Sequence, residues 1–370
     1  MSKYVFLFLQ VFSCEGGIQS YVRAILQAYG QTESVDRADV FLLRDGREVN
    51  NPYAGDRLRF HYCQTKPESL GRIRFALAFA LYLLRERPDR VFCGHIHLAP
   101  LVQRLCQLCR ISYTVLTYGK EVWTPLPPAK QVALQQADRI WTISRYSRDR
   151  LCSANAVSPD RVDLLPCAID AAQFQPQSPD PDLQQRYGLE QARVVMTVAR
   201  LWSGDRYKGV DVTLRALPQI AQVFADVKYL IIGRGDDQPR LAQLAQELGV
   251  GDRVVFAGYV PTADLPQHYA LADAYVMPSQ EGFGIVYLEA MACGIPVLSG
   301  DADGSADPLQ DGILGWQVPH RDPDAVAMAC IAMLKGEDPR CQGAWLRSQV
   351  VQAFGQETFR DRLFQRMGAG

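Results

Sequence analysis

Residues 278–300 read PSQEGFGIVYLEAMACGIPVLSG and contain the end of a strand, a loop, a helix and a second strand in order. The stretch opens on the end of an apolar run, AYVMPS (274–279), that is typical of a buried strand, and QEGFG follows as a loop. IVYLEAMAC has apolar residues at helical spacing, so a helix is expected to begin near Gly284 and to stop at Gly294. PVLSG (296–300) then forms the next strand. This arrangement predicts one repeat of a parallel α/β sheet.

The same alternation of apolar strands and helices runs along the whole chain. Continuous apolar strands between helices indicate parallel sheets that are buried on both faces. Two such blocks predict the α/β class, with two doubly wound, Rossmann-like domains that face each other across a cleft. The predicted strands are 4–10, 39–44, 90–95, 113–119 and 139–144 in the first block, and 193–200, 227–233, 253–258, 274–279 and 296–300 in the second. Helices are predicted at 17–29, 69–87 and 98–110, from Arg145 onward, and at about 355–367.

A proline-rich segment marks the domain boundary. Residues 164–182 (LLPCAIDAAQFQPQSPDPD) carry four prolines and few periodic apolar residues. The predicted N-terminal domain is 1–168, the linker 169–182 and the C-terminal domain 183–352. A last helix within 353–370 is a candidate for crossing back to the first domain. A length of 370 residues agrees with two domains.

Composition excludes several classes of protein. A net charge of −1 argues against a basic nucleic-acid binder. The apolar start MSKYVFLFLQVF is interpreted as a buried first strand and not a signal peptide, and no stretch reaches the roughly 18 apolar residues of a spanning helix. Ten cysteines without an export signal then indicate reduced thiols and a cytoplasmic protein. The lone pair Cys106 and Cys109 favours packing over a metal or redox site.

Two loops that follow strands carry groups suited to phosphate. In SCEGGIQSYV (13–22), Gly16 and Gly17 stand where a strand turns into a helix, so backbone N–H groups can approach an anion closely. The alternative for this pair is a tight structural turn. In ARLWSGDRYKGVD (199–211), Arg200 and Lys208 can clamp a diphosphate, the alternative being two solvated surface cations.

The opening stretch adds two carboxylates, Glu281 and Glu289, with seven residues between them. Paired carboxylates serve retaining glycoside hydrolases, but that reading leaves Arg200, Lys208 and the glycine pair without a role. Glu281 is expected in the loop and Glu289 on the helix, with the free N–H groups of residues 282–285 between them. A buried, unpaired Glu289 on so apolar a helix would be costly, which favours a function for it.

These motifs together resemble the retaining glycosyltransferases of family 4, which have the GT-B fold. The resemblance rests on EGFGIVYLEAMACGIPVLSG, ARLWSGDRYKG, LIIGRGDD, VVFAGYVP and GGIQSYV, covers nearly the whole chain, and is strongest over 193–335. It implies transfer of a hexosyl unit from a nucleotide-diphosphate sugar to a glycan or lipid-linked acceptor, with retained configuration, in cell-surface polysaccharide or glycolipid synthesis. It implies no metal or other cofactor.

The resemblance also implies a role for each matching residue. Arg200 and Lys208 would contact the diphosphate, Glu281 the hydroxyls of the transferred sugar, and Glu289 the ribose. Groups that would surround the rest of the nucleotide sugar are Gly16, Gly17, Gly282, Phe283, Gly284 and Ile285 at the phosphates and sugar, and Gly233, Tyr259 and Val260 near the base.

The chain departs from the family at the acceptor side. Many relatives carry a histidine where LTYGKEVW (116–123) has Tyr118, followed here by Glu121. His95 ends a neighbouring strand and is a second acceptor-side candidate, ahead of His97. Asp307 stands where the family has a glutamate in a glycine-rich segment.

Two further alternatives stay open. A non-catalytic, glycosyltransferase-like subunit that binds a nucleotide sugar would keep the fold without the chemistry, and a GT-B phosphorylase or epimerase is less consistent with Arg200 and Lys208.

Residues 71–90 (GRIRFALAFALYLLRERPDR) form a basic-flanked apolar helix. It either lies on the inner face of a membrane or packs against the first sheet with its arginines reaching outward.

Overall fold

The chain is described by a computed structural model that covers residues 3–31 and 37–368. It divides into two compact units. The N-terminal unit comprises Met1–Ala168 together with Gln356–Gly370, and the C-terminal unit comprises Ile169–Gly355. Each unit is built on its own sheet of parallel strands, in agreement with the predicted class.

The sheet of the N-terminal unit has its first strand near the centre. In the described part of this unit the strands are β1 (Tyr4–Phe8), β2 (Ala38–Leu42), β3 (Leu58–Tyr62), β4 (Arg90–Cys93), β5 (Ser112–Leu116), β6 (Arg139–Thr142) and β7 (Val162–Leu164). They pair in the order β3-β2-β1-β4-β5-β6-β7, all parallel. Phe6 of β1 pairs with Val40 on one side and Phe92 on the other. The strand order therefore reverses between β1 and β4, which is where doubly wound sheets bind ligands.

Helices cover both faces of this sheet. They are α1 (Gly17–Gly30), α2 (Glu68–Glu86), α3 (Ala99–Cys109), α4 (Pro128–Gln135), α5 (Arg145–Asn155) and, from the end of the chain, α13 (Gln356–Gly368). The last helix belongs to this unit because its aromatic side chains pack on α1. Tyr21 and Phe359 have ring centroids 5.9 Å apart, and Tyr29 and Phe364 lie 6.1 Å apart.

The C-terminal unit repeats the architecture. Its strands are β8 (Arg193–Val198), β9 (Val227–Ile232), β10 (Val254–Gly258), β11 (Ala274–Met277), β12 (Val297–Gly300) and β13 (Trp316–Val318), in the parallel order β10-β9-β8-β11-β12-β13. The order reverses between β8 and β11, so the loops after these two strands meet at the carboxyl edge. Its helices are α6 (Pro181–Tyr187), α7 (Val210–Val223), α8 (Gln238–Glu247), α9 (Leu265–Tyr269), α10 (Ile285–Ala292), α11 (Pro323–Lys335) and α12 (Gly343–Phe354).

Two predicted boundaries need correction. The helix predicted at about 355–367 is confirmed as α13, but the segment 353–370 assigned to it starts too early, because residues 353 and 354 end α12 and the extended backbone of Gly355 follows. The predicted linker, 169–182, runs two residues too far, because Asp180 caps α6 with its side chain. The start of that segment is ordered within the C-terminal unit, where the Arg347 guanidinium donates to the carbonyls of Ala171 and Phe174 at 2.8 and 2.6 Å.

Three edge strands, β3, β7 and β13, were absent from the prediction. β7 and β13 have three residues each, too few for a recognisable apolar run. β3 alternates apolar residues with Arg59 and His61, because it lies at the edge of its sheet and is paired with one neighbouring strand, β2. His61 is held there by Asp39 of β2, at 2.5 Å.

Candidate active site

The loop after β11 carries Glu281, and the helix after it carries Glu289, as the sequence predicts. Gly284 is the residue before α10 and has a positive φ of 87°. A Cβ at this position would lie 2.4 Å from the Tyr287 ring, so only glycine allows this tight entry into the helix. The two glutamates therefore lie on different elements, with a helix start between them.

Lys208 and Glu281 form an ion pair at the carboxyl edge of the C-terminal sheet. Their side chains are only 17% and 16% exposed, so the pair is partly shielded from water. The loop after β8 is held against the loop after β11 by a hydrogen bond from the Gln280 N–H to the Tyr207 carbonyl, at 3.1 Å. Gly209 permits this contact, since a Cβ there would lie 2.3 Å from the Pro278 carbonyl oxygen. The sequence predicted both charges but not that they would pair with each other.

Arg200 begins the same loop and points more freely into solvent. Its guanidinium lies 2.9 Å from the carboxylate of Asp205, while the arginine side chain is 73% exposed. Arg200 and Lys208 line one recess together with Arg206 and Arg240. Three aspartates, Asp205, Asp211 and Asp237, line the same recess, and each is paired with an arginine. Lys208 and the exposed Arg200 are the cations there that can contact an anion such as a diphosphate.

Glu289 is buried on α10, and its partner is Tyr269. The tyrosine hydroxyl donates to the carboxylate at 2.8 Å. Burial raises the pKa of Glu289 to about 7, and the hydrogen bond from Tyr269 opposes that rise. The sequence indicated that a buried Glu289 carboxylate would have a function. It did not identify Tyr269, which lies twenty residues upstream, as the hydrogen-bond partner.

The residues predicted near the nucleobase lie close together at the ends of β9 and β10. The Gly233 N–H donates to the Gly258 carbonyl at 2.8 Å, which joins the two loops. The next residue, Arg234, stacks its guanidinium over the Tyr259 ring at 4.8 Å, and Tyr259 is half exposed. Val260 is buried beside it. A flat aromatic and guanidinium surface of this kind can receive a planar base.

The residues around the start of α10 differ in what they can offer a ligand. Phe283 is buried and packs against Phe354, with ring centroids 5.8 Å apart, so only its backbone remains for binding a ligand. Gly282 lies in the loop, and Ile285 is the first residue of α10.

Asp307 ends the short turn of residues 304–306. Asp303, which the sequence did not single out, is buried and bonds to the backbone of Glu281.

In the N-terminal unit, Gly16 and Gly17 lie at the turn from β1 into α1, and the Gly16 carbonyl accepts the N–H of Ser20 at 3.0 Å. The segment before them is fixed by Asp45, a fully buried residue that follows β2. Its carboxylate accepts the N–H groups of residues 11, 12 and 13 at 2.6, 3.2 and 2.9 Å. Asp45 was missed because a single aspartate after a strand is an ordinary turn residue.

Tyr118, Glu121 and His95 meet at the carboxyl edge of the same sheet. The Tyr118 hydroxyl donates to the Gly94 carbonyl at 2.6 Å, and the Tyr118 N–H donates to the Glu121 carboxylate at 2.5 Å. Tyr118 is buried, so its hydroxyl holds the loop after β4 in place. Burial raises the pKa of the Glu121 carboxyl, and backbone hydrogen bonds oppose that rise.

A cationic cluster, consisting of Arg44, His97 and Lys130, adjoins His95. The Lys130 ammonium donates to Nδ1 of His97 at 2.6 Å, and the rings of His95 and His97 stack with centroids 4.8 Å apart. Burial lowers the pKa of His95 to about 4, and the positive charges of Lys130 and Arg44 act in the same direction. Burial and the same two cations also lower the pKa of His97. The neutral histidines and two cations make this region attractive to an anion.

The comparisons with known structures define the class. HepE of Anabaena, solved with UDP, superimposes with a TM-score of 0.77 and 18% identity over the full length of both chains. Sucrose-phosphate synthase of Thermosynechococcus elongatus also gives a TM-score of 0.77, at 22% identity, with 99% of this chain and 98% of that chain covered. The two doubly wound units thus have the GT-B fold.

Sequence comparisons give the family. The model for Glycosyl transferases group 1 matches residues 192–336, and that for the Glycosyl transferase 4-like domain matches residues 16–168. The phosphatidyl-myo-inositol mannosyltransferase of Mycobacterium leprae is 39% identical over 347 residues, which cover 88% of this chain and 86% of that protein. The chain belongs to the family 4 glycosyltransferases.

A second relative is named for its donor as well as its acceptor. The GDP-mannose-dependent alpha-(1-6)-phosphatidylinositol monomannoside mannosyltransferase of Mycolicibacterium smegmatis is 38% identical over 241 residues. The match covers 60% of this chain and 60% of that protein, so this chain spans about three fifths of that relative's length.

Proposed function

We propose that this protein transfers a mannosyl unit from GDP-mannose to a phosphatidylinositol mannoside or a closely related glycolipid. The observation that carries the proposal is the ion pair of Lys208 and Glu281 at the carboxyl edge of the C-terminal sheet. It holds a cation for a leaving diphosphate beside a carboxylate for sugar hydroxyls. The names of the relatives support mannose as the sugar and a phosphatidylinositol lipid as the acceptor.

In this proposal the C-terminal unit binds GDP-mannose. Arg200 and Lys208 neutralise the diphosphate, and their effect grows as negative charge develops on the departing phosphate oxygen. Glu281 accepts hydrogen bonds from hydroxyls of the mannose, and Glu289 accepts them from the ribose. The N–H groups that precede α10 contribute a positive helix end to the phosphates. No step requires a metal ion.

The reaction is proposed to retain the configuration of the sugar. The acceptor hydroxyl attacks the face that the diphosphate leaves, and a phosphate oxygen takes its proton. Glu281 acts as a positioning group and not as a nucleophile, because its carboxylate is already held by Lys208. A retaining hydrolase would need a second carboxyl at the scissile bond. Glu289 is a poor candidate for that task, since it is buried and bonded to Tyr269.

The N-terminal unit is proposed to bind an acceptor that carries a phosphodiester. The cationic cluster of Arg44, His97 and Lys130 supports this assignment, because Lys130 is paired with a neutral histidine and not with a carboxylate. A phosphodiester would accept hydrogen bonds from both cations. His95 and Glu121 would then face the inositol or mannose hydroxyls.

Helix α2 is proposed to rest on the membrane that contains this acceptor. One face of the helix packs into the core, through Phe75, Phe79 and Leu83. The opposite face is apolar as well, and the five residues on it, each more than half exposed, are Leu70, Ile73, Leu77, Leu81 and Leu84. This stripe is about 21 Å long at 1.5 Å per residue.

Exposed arginines flank the stripe, two near each end: Arg72, Arg74, Arg85 and Arg87. An apolar face bordered by arginines suits the surface of a bilayer with anionic headgroups. No helix among the described residues is long and apolar enough to cross a membrane. We therefore propose peripheral contact at the cytoplasmic face, where nucleotide sugars are supplied.

The test is a transfer assay with the purified chain. GDP-mannose, UDP-glucose and UDP-galactose are each incubated with vesicles of phosphatidylinositol mannoside, with and without EDTA, and the lipid product is analysed by mass and by the NMR coupling of its new anomeric carbon. We expect an α-mannosyl product from GDP-mannose alone, and no effect of EDTA. Binding of a nucleotide sugar without any transfer would instead favour the non-catalytic subunit, and a β-linked product would refute retention.

A further inference from the structure

Asp303 is a buried acid that joins two loops of the C-terminal unit. It lies in the turn after β12 and is 4% exposed. Its carboxylate accepts the Ser305 N–H at 2.8 Å, and it also accepts the Ser305 hydroxyl and the Glu281 N–H. The Gly304 N–H donates to the Glu281 carbonyl at 2.9 Å. Both backbone polar groups of Glu281 are therefore bonded to this one turn.

We propose that Asp303 is a positioning residue that fixes the backbone of Glu281, so that the Glu281 carboxylate meets Lys208 and the sugar together. The inference deepens the proposed function and rests on it. Asp303 itself touches no substrate in this account. Its effect on transfer passes through the position of Glu281.

The sequence around Glu281 explains why such a restraint is needed. Gly282 and Gly284 follow it, and glycine gives the backbone the widest choice of conformations. The loop from residue 278 to 284 has no regular secondary structure of its own. Without bonds to neighbouring loops, Glu281 would sample many positions, and a misplacement of about 1 Å can cost on the order of 100-fold in rate.

The chemistry of Asp303 is more than that of a turn cap. Capping the short turn of residues 304–306 requires one acceptor for the Ser305 N–H, which serine or asparagine could supply. A carboxylate has a second oxygen, and this one accepts the Glu281 N–H. Burial raises the pKa of Asp303 to about 7, and the nearby Glu281 carboxylate adds to the rise, so an acid at this position carries a cost that a cap alone does not explain.

Charged and titratable groups near Asp303 are Glu281, its partner Lys208, and the buried Tyr287, whose pKa is raised by burial and by Asp303. Protonation of Asp303 leaves one oxygen as a hydrogen-bond donor. The protonated acid then competes less well for the Glu281 N–H. Positioning of Glu281 should therefore weaken as the pH falls below about 7.

The test is a double-mutant cycle on binding. Dissociation constants of GDP and GDP-mannose, and of UDP and UDP-glucose, are measured by calorimetry for the wild type, Asp303→Asn, Glu281→Gln and the double variant. In Asp303→Asn the new amide can still accept the Ser305 N–H, but it presents a donor where the Glu281 N–H needs an acceptor. Ser305→Ala is the matched control, because it removes one bond of Asp303 and leaves the bond to Glu281. Thermal midpoints establish that each variant is folded.

We expect Asp303→Asn to leave the affinity for GDP within about twofold and to reduce the gain from the mannose by about tenfold, or 1.4 kcal/mol. It should have no further effect once Glu281 is glutamine. In the wild type this gain should fall below pH 7, while Asp303→Asn should lose that dependence. Equal losses for GDP and GDP-mannose, or additive losses in the double variant, would overturn the positioning role.

The design separates this inference from the proposed function. A wild type that gains affinity from the sugar of UDP-glucose, and not from that of GDP-mannose, refutes the proposed nucleotide sugar. The double-mutant cycle is then evaluated with UDP and UDP-glucose, and the same changes in affinity are expected. A wild type that gains no affinity from either sugar contradicts the role of Glu281 and with it that of Asp303.

Discussion

Replacing Glu289 with glutamine should make the protein more stable at pH 8 than the wild type, and the advantage should disappear in acid. Burial raises the pKa of Glu289 to about 7 in the folded chain, whereas the ordinary value is 4.5. Between these two values the folded chain holds a proton that the unfolded chain has released. The free energy of unfolding of the wild type therefore falls as the pH rises through this window.

The size of the effect follows from the shift. A difference of one pKa unit corresponds to 1.36 kcal/mol, so the rise of Glu289 from 4.5 to about 7 amounts to about 3 kcal/mol once both states are ionised. Asp303 adds a pH dependence of the same sign, but it is present in both proteins and cancels in the difference. The glutamine side chain of Glu289→Gln cannot ionise and can still accept the hydrogen bond from Tyr269.

The assay is urea denaturation of the full chain at pH 5, 6, 7 and 8, for the wild type and Glu289→Gln in the same buffers. Tyr269→Phe is the matched control. It removes the hydrogen bond that opposes the rise, so the stability of Tyr269→Phe should continue to fall to a higher pH than that of the wild type. A difference between wild type and Glu289→Gln that stays constant within about 0.5 kcal/mol from pH 5 to 8 would show that the pKa of Glu289 is not raised in the folded chain.

The same ionisation should govern nucleotide binding. Ribose hydroxyls donate best to a charged carboxylate, and hydrogen bonds to charged groups contribute about 1.5–3 kcal/mol. GDP should therefore bind the wild type more tightly at pH 8 than at pH 6, and GDP affinity of Glu289→Gln should be weak and independent of pH in this range. Identical pH profiles of the two proteins would show that Glu289 does not contact the nucleotide.

Two further predictions concern the N-terminal unit. The double variant Arg44→Gln/Lys130→Gln should raise the KM for a phosphatidylinositol-linked acceptor at least about tenfold, since two charge-assisted hydrogen bonds are lost, while kcat changes little. An unchanged KM in initial-rate assays would exclude the phosphodiester contact. The double variant Leu77→Gln/Leu81→Gln should reduce flotation with anionic vesicles at least about tenfold. Burial of each exposed leucine side chain in the bilayer contributes about 1.5–3 kcal/mol to the free energy of membrane binding. Leu108→Gln on α3, also exposed to solvent, is the matched control, and an equal loss in that control would contradict a specific role of α2.

Local signals in the sequence were sufficient for the alternation of elements and for the two glutamates. Gly284 and the apolar period of residues 285–292 placed Glu281 in a loop and Glu289 on a helix, because glycine and helical spacing act over a few residues. The start of the last helix was predicted within one residue, at about 355, whereas the end of α12 at Phe354 was not predicted. A single glycine between two helical patterns does not reveal an extended residue.

The pairing of groups within the site could not be read from the sequence. Lys208 and Glu281 are 73 residues apart and meet because β8 and β11 are neighbours at the reversal of strand order. Asp303 reaches Glu281 because β12 adjoins β11. Strand order is a property of the whole sheet, and a sequence of separate strands does not specify it. Contacts such as that of Glu289 with Tyr269 depend on it in the same way.

Tyr118 shows a different limit. The resemblance to family 4 raised the question of whether this tyrosine replaces the usual histidine. The sequence does not show where the Tyr118 hydroxyl points. In the structure this hydroxyl donates to the Gly94 carbonyl, so it serves a contact within the protein. Lys130, which contributes to the neighbouring cationic cluster, lies on α4 in a segment with several prolines and resembled an ordinary surface lysine.

Stabilisation of the leaving diphosphate by Lys208 is tested by the rate of mannosyl transfer from saturating GDP-mannose to phosphatidylinositol mannoside vesicles, compared between the wild type and Lys208→Met. Loss of a preorganised charge at a developing anion typically costs about 100-fold to 1,000-fold in kcat, so Lys208→Met should be slower by at least about 100-fold, and Lys208→Arg should recover part of the rate. A Lys208→Met variant that transfers mannose as fast as the wild type would contradict the proposed stabilisation of the leaving diphosphate.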